Sequence, residues 1–386
     1  MSSISARSLF SDRPKRSLDD QAWLFLSLAT VLIGFGVLMV HSASVTSWPT
    51  EFEQVYLTRH VKFLAIAVVA ATIAGALPAR FWLKLAPWMF LGTLLLLVAV
   101  LIPGVGTRVN GAQRWLRFGG FSMQPSELAK ITLPLFLARL AVNRREKLRR
   151  LLAGTIPFAL PVAVTVALVV LEPDLGTTLF LAGSSAVVLF LAGWPIRNFV
   201  LGIGASVSGI VFLVTAYSYR LRRITDFVSV WRDFSNSDAW QLKQSLITLG
   251  AGGFWGVGLG RGQQKLSFLP ESNTDFVFAV AGEELGLAGT VGLVGLWCGV
   301  FWAGLLLFRR FRSDCFATVA ALTLLTQLVG QALLNAAVVT ALVPTTGIPH
   351  PLVSYGGSSL VVSVVSLGII VSLSRADRVH DECVLS

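Results

Sequence analysis

Apolar residues run along this chain in long blocks with neither strand alternation nor an obvious polar face. Uncharged stretches recur from Phe63 to Ala79, Leu85 to Thr107, Leu151 to Leu171, Leu175 to Ile196, Asn198 to Tyr219 and Leu285 to Phe308. Each is long enough to cross ~30 Å of hydrocarbon as a helix. Lipid offers the backbone no hydrogen-bond partners, so a spanning segment is a helix or part of a closed barrel, and these runs lack the period-two pattern of barrel strands. The pattern predicts an all-α integral membrane protein with about ten transmembrane helices, near 22–43, 62–79, 85–103, 123–141, 151–171, 175–194, 198–218, 276–308, 316–342 and 359–374. The apolar run from Ala22 to Val40 exceeds a usual signal-peptide core and is read as a retained first span. The last two spans share one charge-free stretch, split by the breaker-rich segment Pro344 to Pro351.

Composition agrees: only 13% of the 386 residues are charged, against roughly 25% in ordinary soluble chains. The net charge of +11 is then a matter of membrane orientation rather than of nucleic-acid binding. Arg7, Arg13, Lys15 and Arg16, then Arg80 and Lys84, the Arg139 to Arg150 cluster, Arg197, Arg309, Arg310, Arg312, Arg375 and Arg378 fall on one side of the ten-span scheme. By the positive-inside rule that side, with both termini, is cytoplasmic. The scheme divides the chain into a basic tail at 1–20, one membrane domain at 21–375 with a long extracytoplasmic segment at 220–275 between spans seven and eight, and a tail at 376–386. Cations left on the outer side, Arg108, Arg114, Arg117 and Lys130 near span four and Arg220 to Lys265 in the long segment, match either an anionic partner or local acids and lipid phosphates. Leu242, Leu246, Ile247 and Leu249 predict one short interfacial helix there. Cys298, Cys315 and Cys383 have neither disulfide nor zinc-ligand spacing.

Charges at membrane edges are costly, so they single out candidate chemistry. Asp275, in Pro270-Glu271-Ser272-Asn273-Thr274-Asp275-Phe276, leads straight into span eight. Glu127 and Lys130 are three apart and share a helix face, either as a neutralised structural pair or with Lys130 meeting an anionic head group. Arg114 beside Trp115 offers a forked donor for a phosphate. Glu172 and Asp174 fit either a divalent cation or a turn in which Asp174 caps the next helix. The glycine-rich run from Gly250 to Gly262 lacks a P-loop ending, which leaves close backbone packing or backbone N–H groups aimed at a pyrophosphate.

Taken together, the motifs N-G-A-Q-R-W (110–115), Q-P-S-E-L-A-K (124–130), E-P-D-L-G-T (172–177), Q-L-K-Q-S (241–245), P-E-S-N-T-D-F-V-F (270–278), E-E-L-G (283–286) and S-Y-G-G-S-S (354–359) resemble those of the FtsW/RodA family, also called SEDS. The Gly256 to Gly260 run and Pro344 to Gly347 look more like its division-type FtsW branch than RodA. The resemblance implies a bacterial inner-membrane glycosyltransferase that polymerises lipid II into glycan strands, with its active site outside. Asp275 matches the family's essential aspartate, read as the base that activates the acceptor sugar. Glu127, Lys130, Arg114, Trp115, Arg223, Gln241, Gln244, Lys265, Glu271, Thr274, Ser354, Tyr355, Gly356 and Gly357 are the implied substrate-binding residues. Lys130, Arg114 and Arg223 are chosen for the leaving pyrophosphate, and cations close to Asp275 are expected to keep it ionised.

This reading assigns no cofactor and leaves open a divalent cation such as Mg or Mn, with no ligands assigned, that would help neutralise the pyrophosphate. Implied partners are a class B penicillin-binding transpeptidase, divisome or elongation-complex proteins and membrane lipids, with no nucleic acid. The rival expectations are a lipid II flippase and a scaffold for the transpeptidase. Two departures from the family pattern stand out. His350 occupies a position that is usually leucine, which raises the expectation of pH sensitivity, and Phe234-Ser235-Asn236-Ser237 replaces a proline-containing turn.

Overall fold

The computed structural model describes residues 20–44, 51–109, 111–118, 121–148, 150–215, 218–264, 269–309 and 315–376. Helices α1 (Asp20–Ser44), α2 (Glu51–Ala76), α3 (Ala79–Leu101), α4 (Pro125–Asn143), α5 (Leu151–Leu171), α6 (Leu175–Leu191) and α7 (Ile196–Thr215) correspond to the first seven predicted spans. Helices α8 (Ser218–Arg232) and α9 (Trp240–Ala251) occupy the long segment, and α10 (Val277–Arg309), α11 (Cys315–Val339) and α12 (Gly357–Ser374) complete the set. Among the described residues, seven of these helices are long and apolar enough to cross a membrane by length and composition, and α6 is a shorter apolar helix. The chain is a multi-pass membrane protein.

Burial separates centre from rim. Within their most apolar windows, α11 is 67% and α12 72% buried, whereas α2 is 17% and α5 22%. The outward apolar residues of the rim helices, such as Val69, Leu95 and Leu160, suit contact with lipid tails. Helix association in lipid depends on close packing more than on apolar burial, and α2 meets α12 through small residues. A methyl group built on Gly368 would reach within 2.2 Å of the Ala71 carbonyl oxygen.

Three local features add to the predicted helices. Before α4, β1 (Gly106–Val109), β2 (Ala112–Phe118) and β3 (Phe121–Met123) form an antiparallel sheet in the order β1-β2-β3, with Thr107 opposite Trp115 and Leu116 opposite Met123. The long segment holds two helices rather than one, because Leu221, Ile224, Phe227, Val228 and Trp231 give α8 a helical apolar spacing of its own. The proline-free turn at 234–237 is closed by Asp233, which accepts from the Asn236 backbone N–H at 3.2 Å and from its Nδ2 at 2.7 Å. Those bonds hold the Asp233 carboxyl below its usual range.

Helix α10 is broken at Gly286, whose φ of 70° and ψ of −167° lie in a region open essentially to glycine. A break in a spanning helix frees backbone groups that lipid cannot satisfy. The glycine-rich run supplies the partners. Val257 and Gly258 donate to the carbonyls of Glu283 and Glu284 at 2.9 and 3.0 Å, and Leu287 and Ala288 donate to those of Gly253 and Phe254 at 2.9 and 3.1 Å. A methyl group at Gly256 would lie 2.2 Å from the Glu284 carbonyl oxygen. The run thus serves close backbone packing, and Glu283 adds to it by accepting from the backbone N–H of Gln263 at 2.8 Å.

Candidate active site

Asp275 lies two residues before α10, in a turn organised by Glu271. Glu271 adopts a positive φ of 54°, and its carbonyl accepts from the backbone of both Thr274 and Phe276 at 3.1 Å. The Thr274 hydroxyl donates to the Glu271 carboxylate at 2.8 Å. Two other elements clamp the turn from outside. Tyr355 N–H donates to the Asn273 carbonyl at 2.8 Å, and the Ser354 hydroxyl donates to the Thr274 carbonyl. From α11, Asn335 Nδ2 donates to the Asp275 carbonyl at 2.7 Å and to that of Ile348 at 3.0 Å. Two sequence motifs far apart in the chain, P-E-S-N-T-D and S-Y-G-G, therefore form one substructure.

The Asp275 carboxylate faces the loop that joins α11 to α12. Gly347, with a φ of 72°, presents its bare α-carbon there: a methyl group on it would lie 3.7 Å from Asp275 Oδ2. Among the described residues the carboxylate has no hydrogen bond or ion pair. Burial raises its pKa to about 7, Glu271 and Asp174 add to the rise, and Arg223 and Arg114 oppose it. The expectation that cations hold Asp275 ionised is thus corrected. The arginines are near enough to act on it, but desolvation outweighs them.

Those arginines approach from different elements. Arg223, half-buried on α8, donates from Nη1 to the Thr345 carbonyl at 3.2 Å. Arg114, on β2, spends its fork on the turn between α5 and α6: Nε donates to the Glu172 carbonyl at 3.2 Å, Nη2 to that of Pro173 at 3.3 Å, and Nη1 stands 3.5 Å from Asp174. Asp174 caps α6 by accepting from the Thr177 backbone at 3.0 Å. It also accepts from Thr177 Oγ1 at 3.0 Å and from Gln124 Nε2 at 3.2 Å. Glu172 is fully buried, and among the described residues neither carboxyl oxygen has a hydrogen-bond partner. Desolvation first, then Asp174, raises its pKa to about 9.

Glu127 and Lys130 form a buried pair. Lys130 Nζ donates to Glu127 at 2.7 Å and to Gln331 Oε1 on α11 at 3.1 Å. The ammonium also stands 5.4 Å from the Phe180 ring centroid. On the far side of Phe180 and Gln327 lies a cavity of about 570 Å³, almost wholly apolar, between α6, α8 and α11. Arg223, Thr345 and Thr346 line it, so it shares its edge with the loop against Asp275. Ser184, Gln327 and Thr346 also line it, and among the described residues their Oγ, Nε2 and Oγ1 atoms are buried without hydrogen-bond partners.

The remaining predicted residues lie around this centre. Trp115 is half-buried on β2. Gln241 is exposed and Gln244 half-buried on α9, which docks through Ser245 Oγ to the Val339 carbonyl at 2.7 Å; neither glutamine side chain bonds to the Asp275 turn. Tyr355 packs edge-on to Tyr56 at 5.1 Å. Gly356 caps α12, and Gly357 leaves room for the Phe63 ring. Lys265 lies outside the described residues. Sequence reasoning missed Asn335 and Gln331, and named Thr345, Thr346 and Gly347 only as part of a breaker-rich, FtsW-like stretch. Among the described residues no group of three or more His, Cys, Asp or Glu is placed to hold a metal ion, and the Asp174 oxygens are committed to Thr177, Gln124 and Arg114. The described side chains therefore assemble no three-ligand site for a divalent ion.

The FtsW/RodA/SpoVE cell cycle protein family model matches residues 22–379, nearly the whole chain. The chain belongs to this family. As a family member it is 38% identical, over 94% of its length and 99% of the relative's, to a protein of Geobacter sp. (strain M18) named probable peptidoglycan glycosyltransferase FtsW. It is 35% identical to stage V sporulation protein E of Bacillus subtilis (strain 168), over 92% of this chain and 97% of that one. Among solved structures, the crystal structure of the Thermus thermophilus rod shape determining protein RodA is similar with a TM-score of 0.68 and 29% identity, covering 93% of this chain and 98% of that one. A chain from a structure titled for polymerization and crosslinking by a peptidoglycan synthase complex is similar with a TM-score of 0.75 and 30% identity over the same shares.

Proposed function

We propose that the chain is a peptidoglycan glycosyltransferase that polymerises lipid II, with Asp275 as general base. The observation that carries this reading is a buried carboxylate with no hydrogen bond or ion pair among the described residues, its pKa raised to about 7, facing the loop whose Thr345 and Thr346 line, with Arg223, the apolar cavity. A general base works best when its pKa lies near the operating pH. Asp275 takes the proton of the acceptor sugar's 4-hydroxyl as that oxygen bonds to the donor's anomeric carbon. The bond from that carbon to the pyrophosphate oxygen breaks on the opposite side, and the configuration inverts. Polyprenyl pyrophosphate leaves with the electron pair of the broken bond.

Negative charge grows on the leaving group, so preorganised cations act where it departs. Arg223 is the first choice, because it joins the cavity edge to the loop against Asp275. Arg114 contributes at longer range while holding the 172–174 turn. Lys130 acts from behind Phe180 and Gln327. The apolar cavity suits the polyprenyl chain. The same reading places Asp275 on the outer face of a bacterial inner membrane. A class B penicillin-binding transpeptidase is the proposed neighbour, supported by the likeness to a chain solved within a peptidoglycan synthase complex.

Asp275→Asn is expected to insert and bind lipid II as the parent does while forming no polymer. In the parent, polymerisation should fall as pH drops through about 7, as Asp275 takes up its proton. Gel analysis of glycan strands from labelled lipid II reads both results, and full polymerisation by the variant removes Asp275 from the reaction.

A further inference from the structure

His350 occupies a position where its ring has three neighbours and one consistent set of proton positions. It is 3% exposed, between Phe278, whose ring stacks on it at 5.9 Å, and Trp297, which meets it edge-on. Trp297 Nε1, which can only donate, donates to His350 Nε2 at 2.9 Å. That nitrogen is therefore the acceptor, and the ring proton sits on Nδ1. Nδ1 stands 3.2 Å from Asn335 Oδ1. The other half of the Asn335 amide already donates both its hydrogens, to Asp275 and Ile348 carbonyls, so Oδ1 is left to accept. Donors and acceptors alternate without conflict from Trp297 through His350 and Asn335 to the backbone of Asp275.

We infer that His350 is a positioning residue: with its proton on Nδ1 it fixes the Asn335 amide that clamps the Asp275 carbonyl, and thereby fixes the direction from which the Asp275 carboxylate meets its substrate. A second path from the same residue reinforces this. The His350 backbone N–H donates to Ser354 Oγ at 2.8 Å, and that hydroxyl donates to the Thr274 carbonyl. Leucine at 350 would keep the backbone path and cut the side-chain path. It would leave Trp297 Nε1 and Asn335 Oδ1 buried without partners and free the amide to rotate. Protonation of the ring would turn Nε2 into a second donor facing Trp297. Burial holds the pKa near 3, so this histidine is a fixed strut and the expected pH sensitivity does not arise from it.

The functional consequence rests on Asp275 being the base; the clamp itself does not. In the purified full-length protein with labelled lipid II, His350→Leu is expected to lower kcat about tenfold with KM unchanged, as for a small misplacement of a reacting group. His350→Gln, whose amide can accept from Trp297 and donate to Asn335, should recover most of the loss. Hydrogen–deuterium exchange over residues 272–278 should be faster in His350→Leu and parental in His350→Gln. Parental kcat and exchange in His350→Leu, or no recovery in a folded His350→Gln, overturns the assignment. Active Asp275→Asn with faster exchange in His350→Leu removes the base but keeps the clamp.

Discussion

Glu172 shows how much a single buried side chain can cost. Its pKa is raised to about 9, so the folded protein keeps it protonated at neutral pH, whereas the unfolded chain would ionise it near the ordinary value of 4.5. The unfolded state is therefore favoured progressively as pH rises between those values. Glu172→Gln is expected to raise the thermal midpoint at pH 8, and the gain should shrink toward nothing near pH 4.5; scans in detergent across that range check it. Asp275, Glu127 and Lys130 stood out in the sequence because a charge at a membrane edge is costly and draws attention whether its role is structural or chemical. Asn335, Gln331 and Gly347 did not. A neutral amide inside an apolar run resembles many tolerated polar residues, and a glycine beside prolines resembles a turn. Only the fold places Asn335 and Gly347 against the Asp275 turn and Gln331 against Lys130.

At the scale of elements, α4 depends on a pair that its own spacing sets. Lys130 and Glu127 are buried together and tied to α11 through Gln331. Removing one member strands the other, a loss of about 3–5 kcal/mol, whereas replacing both with apolar residues of similar volume is far milder. Lys130→Met should therefore lower the yield and thermal midpoint of the folded protein sharply, and Glu127→Leu with Lys130→Met should recover much of both. A double variant no more stable than Lys130→Met alone would count against this account. All ten predicted spans have a helix in the structure, because sustained hydropathy is a strong signal. The sheet at 106–123 was missed although Asn110-Gly111 is a strong hairpin dipeptide, since its strands are short and alternate weakly. The break in α10 was hidden because Gly286 opens the uncharged run that begins at Leu285, which holds several other glycines that stay helical.

For the whole molecule, the one-sided basic segments predict which face is which. Glu146 and Ser235 are both exposed, the first beyond the far end of α4 and the second between α8 and α9. In intact inner-membrane preparations, cysteine placed at 235 should react with an impermeant thiol reagent from the outer side, and cysteine placed at 146 only after permeabilisation. The reverse pattern would invert the orientation and move Asp275 to the cytoplasm. A flippase would be expected to carry discontinuous helices in matched halves. Among the described residues α10 alone has an internal break, and the glycine-rich run satisfies its freed backbone groups.

That closure also bears on how the protein is made. The run at 253–258 and its partners at 283–288 lie on either side of Pro270 to Phe276, so their hydrogen bonds draw the chain into a ring that carries Asp275. During synthesis the first side of the ring emerges well before the second. A nascent chain that has completed the Pro270 to Phe276 segment still lacks the backbone that closes the ring, and Asn335 and Ser354 follow later still. The aspartate is thus made early and set late, once α10 and α11 have entered the bilayer and the 350–355 loop has joined them.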